Sequence, residues 1–197
     1  MVTNNLKRLA SARMLAAAGL LLAHAVSAAP ATPMAVAAPE AQTAVREIKW
    51  QELVPKDWNP KQYLPDRRLS FLSDMDPDAQ LAFVEMRRAW DNAPTVIGLD
   101  GVNVKLAGYL VPLEETRDGI KEFLLVPYFG ACIHSPPPPA NQIVDVVLKT
   151  STKAFHAMDT VWVNGTFATV RQASSMGSTS GYKSEAASID RYVAPER

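Results

Sequence analysis

A single cysteine, Cys132, stands in the 197 residues, so no internal disulfide can form. The thiol therefore packs, ligates, reacts or pairs with another molecule. An excess of charge of one sign is also missing, because 20 Lys+Arg balance 20 Asp+Glu. That removes the basic surplus on which general nucleic-acid binders rely. Long apolar runs are absent as well. The longest, Met14 to Val26, falls short of the ~20 residues that cross a bilayer. No phosphate-binding Gly-rich loop, zinc-protease helix motif or serine nucleophile elbow occurs.

What remains begins with an export signal. Lys7, Arg8 and Arg13 precede the apolar run, and Val26-Ser27-Ala28 places small residues before Ala29. This is the form of a cleaved secretory signal over residues 1–28, with a bacterial periplasm as the expected destination. No Cys stands at the end of the signal, so a soluble mature chain without a membrane anchor is expected. Residues 29–45 form an Ala/Pro-rich leader, and residues 46–197 are enough for one domain.

Within that domain, Ile48, Trp50 and Leu53 can anchor an N-terminal arm, which Pro55, Pro60 and Pro65 keep irregular. Trp50 and Trp58 either bury area or line a ligand site. Asp76, Pro77 and Asp78 carry the cap, first-turn proline and dipole signals of a helix start. Ala79, Ala82, Phe83, Met86, Trp90 and Ala93 then predict a core-facing stripe, with Arg87 and Arg88 on the solvated side. From Val102 the period changes to two: Val104, Leu106, Gly108 and Leu110 alternate with polar or small residues. Gly108 predicts a bulge or corner. A turn around Asp118-Gly119 leads to a second strand over residues 122–129, and a third follows over 142–148. A short helical connection over 150–158 is expected next. Asn164-Gly165 then predicts a two-residue hairpin turn between Thr160–Val163 and Thr166–Val170. Tyr182 to Tyr192 supplies a last edge strand or helix. The expected fold is mainly β: a small OB-like Greek-key barrel of about five strands preceded by an amphipathic helix, with a β-sandwich as the alternative.

The chemistry concentrates between the second and third strands, in Gly130-Ala131-Cys132-Ile133-His134-Ser135 followed by four prolines, Ala140, Asn141 and Gln142. In extended backbone Cys132 and His134 project to one side. A thiolate and an imidazole so placed suit zinc, with copper as the alternative. His156 is the first candidate for a third ligand; Asp145, Asp159, Glu185, Met158 and Met176 are others. The competing readings are a structural Cys and His, or a thiol nucleophile and base oriented by Asn141 or Asp145. Pro136 to Pro139 stiffen the loop.

The run Gly108-Tyr109-Leu110-Val111-Pro112-Leu113-Glu114, the stretch Glu122 to His134 with its four prolines and Asn141-Gln142, and Val161-Trp162-Val163-Asn164-Gly165-Thr166 together resemble a bacterial exported family. It is known as domain of unknown function 3299, and the resemblance spans roughly Arg46 to Tyr192. Many of its members are lipoproteins, a feature this chain lacks. Members are often encoded beside ABC-type import systems, some linked to zinc. The resemblance thus implies a periplasmic accessory that binds or presents a transition metal for an importer, without enzymatic activity. The alternative is a non-metal module that docks a protein or small ligand through the barrel face and the polyproline loop.

Overall fold

The computed structural model describes residues 44–64, 75–131 and 137–193. The expected signal segment, most of the expected leader, Cys132 and His134 lie outside the described residues.

Five long strands carry the domain: β2 (Asn103–Thr116), β3 (Gly119–Val126), β4 (Val144–Thr152), β5 (Thr160–Ala168) and β8 (Tyr182–Arg191). Two-residue strands β1 (Arg46–Glu47), β6 (Gln172–Ala173) and β7 (Thr179–Ser180) supplement them. The long strands pair in the order β2-β3-β4-β8-β5, and β5 pairs back to β2, which closes the barrel. All pairings in that ring are antiparallel except β4 with β8. This is the five-stranded OB arrangement, and it leaves no exposed long edge.

Alternation builds the interior. Val104, Leu106 and Leu110 of β2 point inward with Phe123 and Leu125 of β3, Val144 and Val146 of β4, and Val161 and Val163 of β5. The arm completes this core. β1 runs parallel to β2, and Ile48 and Leu53 are buried among the barrel residues. Tyr182 ties the arm down: its hydroxyl donates to the Leu53 carbonyl at 2.7 Å and accepts from the Val96 amide at 2.7 Å. Burial pushes the Tyr182 hydroxyl pKa up, so it stays protonated and able to donate. Tyr182→Phe strands a buried carbonyl and an amide. It should lower stability by about 2 kcal/mol, read as a lower urea midpoint at unchanged slope.

Four expectations change. Asn164-Gly165 is not a turn; β5 runs straight through it. Phe167 therefore shares the inward face with Val161 and Val163, and Trp162 lies on the outer face under the Lys105 ammonium, 4.4 Å from its ring centroid. Gly165 is instead where β8 crosses closest: a Cβ there would lie 2.5 Å from the Glu185 carbonyl oxygen. The pairing with β8 shifts register at this point.

The helix α1 (Pro77–Asp91) starts as expected, with Asp76 accepting from the Asp78 amide at 2.9 Å. Its apolar stripe does not enter the core: within the helix Met86 alone is buried, Ala93 is buried just past its end, and Phe83 is 39% exposed. A closed barrel has no open face for a helix to cover, so α1 sits at the periphery. There the Trp90 indole donates to the Pro60 carbonyl. Arg87 is correspondingly not solvated but bonds Asp91 and the Gly177 carbonyl.

No helix connects β4 to β5; residues 153–159 form turns. Finally, β8 is neither an edge strand nor a helix, because it pairs on both sides and closes the barrel. Gly108 does mark a corner. β2 passes there from β5 to β3, while the irregular register lies four residues later, around Pro112.

Candidate ligand-binding cleft

The loop after β3 folds back over the outside of the barrel. Leu124 and Val126 alternate with the inward Phe123 and Leu125, so they face outward, yet both are buried. Ala131, Ile143 and Met158 cover them together with Val111, forming a second small core. Phe129 adds an edge-on ring contact with Tyr109, with centroids 5.9 Å apart. Gly130, at φ +78°, gives the backbone turn that returns Ala131 to this patch. In OB barrels the face of the second and third strands commonly receives ligands. Here those strands are β3 and β4, and the protein's own loop occupies their outer face.

The far side of the loop is pinned independently. Pro138, Pro139 and Ala140 are buried. The Ala140 carbonyl accepts from the Gly181 amide at 2.7 Å, and the Asn141 amide donates to the Pro94 carbonyl at 2.9 Å. The Asn141 side-chain NH2 thus braces the loop, while its buried Oδ1 has no hydrogen-bond partner among the described residues.

Between this loop and the N-terminal arm lies a cleft of about 430 Å³. Trp50, Trp58 and Tyr128 supply aromatic surface, Pro127 and Gln142 come from the two flanks of the loop, and Lys56 lies at the arm side. Trp50 is fixed, because its indole donates to the Ala107 carbonyl at 2.7 Å. The ring lies so close to β2 that a Cβ on Gly108 would come within 2.9 Å of it. Glycine at this corner is what lets the indole lie against the barrel. Trp58 is held by its backbone bond to the Pro55 carbonyl and by ring contact with Tyr63, centroids 6.2 Å apart. The cleft is an open groove with aromatic walls and several polar groups, and its volume lies in the range that small ligands occupy.

The residues singled out for metal binding divide. Cys132 and His134 fall outside the described residues, although Ala131 next to them packs with Met158. His156 is on the same connection as Met158. Its side chain is 80% exposed, its Nδ1 lies 3.9 Å from Asp159 Oδ2, and its backbone amide donates to the same oxygen. Met158 adopts φ +68°, a strained value for a non-glycine, and its amide donates to the Leu110 carbonyl. Asp159 also approaches Arg191 at 3.5 Å. Glu185 and Met176 are exposed elsewhere. Among the described residues no three His, Cys, Asp or Glu side chains converge to hold a metal.

Asp145 is a separate case. It is 1% exposed, on the outward parity of β4, and its Oδ1 has no hydrogen-bond partner among the described residues. Burial, then the Glu122 carboxylate, push its pKa up to about 6 against the opposing pull of Lys183.

The cleft itself was foreshadowed only by Trp50 and Trp58. Its other wall comes from the loop flanks, and nothing in local sequence joins those to the arm.

The comparisons agree with this architecture. The family model described as "Protein of unknown function (DUF3299)" matches residues 50–191. A crystal structure of a DUF3299 family protein from Pseudomonas aeruginosa PAO1 is 39% identical, with a TM-score of 0.60. The match covers 78% of this chain and 99% of that one. No curated protein matches. The match spans the arm, the barrel and the loop between β3 and β4 alike, and the chain belongs to the DUF3299 family.

Proposed function

We propose that the protein is a periplasmic binding module, without catalytic activity of its own, whose ligand occupies the cleft between the arm and the loop after β3. The observation that carries this reading is the cleft's construction. Two tryptophans are locked in place by Ala107 and by the Pro55–Tyr63 segment, and they leave concave aromatic surface facing solvent. Rigid aromatic walls lose little conformational entropy on binding. A library of small aromatic and polar fragments, read by thermal shift, tests it. Hits should be retained by Trp162→Ala, on the outer face of β5, and lost in Trp58→Ala. Hits indifferent to Trp58 overturn the reading.

A second reading is favoured by the packing of Ala131 against Met158, which draws the His156 connection beside the start of the Cys132 segment. In it Cys132, His134 and His156 hold a transition metal, zinc rather than copper, for presentation to an ABC-type importer component. The donor set fits a borderline-soft ion, and with Nδ1 turned toward Asp159 the imidazole of His156 keeps Nε2 for a ligand. The mature chain should then bind one zinc per molecule in a competition titration with a chromogenic chelator. Cys132→Ser and His134→Ala should each weaken binding at least about tenfold, and His156→Ala less. Equal affinity in all three variants contradicts this reading.

A further inference from the structure

The outer face of β3, β4 and β8 holds a buried acid that neither reading of the site uses. Asp145 on β4 stands opposite Leu124 of β3 and Lys183 of β8, with Glu122 diagonal to it on β3. The two carboxyl groups lie within hydrogen-bond reach of each other, and Asp145 Oδ1 is buried without a partner among the described residues. Glu122 in turn pairs with Glu114 of β2, and Glu185 lies two positions beyond Lys183 on the same face of β8. Lys183 is the cation that faces Asp145, and the described parts of the loop after β3 add no charged side chain. Two carboxylates this close cannot both ionise without repulsion, so the pair tends to keep one proton. Burial and Glu122 already raise the Asp145 pKa to about 6.

The pair joins the two strands that deliver the loop wall of the cleft. β3 ends at Val126 and runs directly into Pro127 and Tyr128, while Gln142 stands two residues ahead of β4. Between the acids and that wall the same outer face carries Leu124, Val126 and Ile143, all buried in one cluster. Close-packed side chains transmit displacement, so repulsion across β3 and β4 reaches the wall. Resting on the reading of the cleft as the binding site, we infer that Glu122 and Asp145 form a proton-dependent brace for it. A proton shared between the two carboxyl groups clamps β3 to β4 and holds Pro127, Tyr128 and Gln142 in their binding geometry. Loss of that proton to solvent sets two adjacent carboxylates against each other, loosens the wall and weakens ligand binding. By linkage, a bound ligand makes the pair hold its proton more tightly.

Titration of the mature protein with an uncharged fragment hit tests the brace. The parent should bind at least about fivefold more tightly at about pH 5 than at about pH 7.5. Asp145→Asn carries no charge and should bind equally at both. Carboxyl ¹³C spectra follow the pair itself: Asp145 should titrate near pH 6 in the free protein. With the fragment bound, that midpoint should rise by about 0.7, the equivalent of fivefold in affinity. Glu122→Gln, which spares the buried acid, should lower the midpoint, and Lys183→Gln should raise it. Equal affinity of the parent at both pH values, or a pH dependence that persists in Asp145→Asn, overturns the brace and leaves the cleft as the site. An Asp145 midpoint indifferent to the fragment does the same. If no fragment binds at either pH, the brace and the cleft reading both fall.

Discussion

Replacing Gly165 by alanine should be among the most damaging single changes to this domain, at a cost of about 3 kcal/mol or more. The added Cβ would lie 2.5 Å from the Glu185 carbonyl oxygen, 2.7 Å from Ser184 Oγ and 2.9 Å from Ala186 Cα. Two of those atoms are backbone of β8, which is paired to β4 on its other side and cannot recede without opening the barrel. For a domain of this size the expected fall in melting temperature is about 6–12 °C. Gly98→Ala is the control, since a Cβ there meets nothing within 4 Å. Circular-dichroism melts of the two variants decide the matter. If both melt within a degree or two of the parent, the crossing at Gly165 is not as close as described.

Asp145→Asn should act in the opposite direction and only above mildly acidic pH. In the folded chain the Asp145 pKa is raised from 3.8 to about 6, first by burial and then by Glu122. Between those values the folded state holds more protons than the unfolded state, so stability falls as pH rises through the window. Above about pH 6 the full penalty of the buried charge applies. A shift of this size corresponds to about 2–3 kcal/mol. The asparagine variant carries no charge, so it should be more stable than the parent by about 2 kcal/mol at pH 7.5 and equal to it near pH 4. Urea unfolding at both pH values reads this directly. A parent and variant with parallel pH profiles would show that Asp145 is not the group responsible.

These two positions also show what local sequence conveys and what it does not. The alternation of Val104, Leu106 and Leu110 is a property of neighbouring residues, and it reports a half-buried strand directly. The Asp76-Pro77 start of α1 is equally local. Asn164-Gly165 looks the same in a hairpin turn and in a strand that another backbone crosses closely. The choice depends on β8, some twenty residues away, so the short-range turn signal misleads. The stripe on α1 is periodic in both cases, but whether it is buried depends on whether the barrel closes without it. The candidate site divides in the same manner. The Cys132–His134 loop declares itself as a run of unusual residues. The cleft is assembled from the arm, the end of β3 and Gln142, three separated stretches with no shared spacing, and only the fold brings them together.

The four tryptophans of the chain report directly whether this cleft binds the ligand. With ¹⁵N-labelled tryptophan, each indole N–H gives one resonance. On addition of a bound fragment, the Trp58 and Trp50 resonances should move. Trp58 should move most, because its N–H makes no hydrogen bond among the described residues, whereas that of Trp50 is bonded to Ala107. Trp90, bonded to Pro60, and Trp162, on the outer face of β5, should stay in place. Movement at Trp162 or Trp90 with Trp50 and Trp58 unchanged would place the binding surface elsewhere and contradict the account.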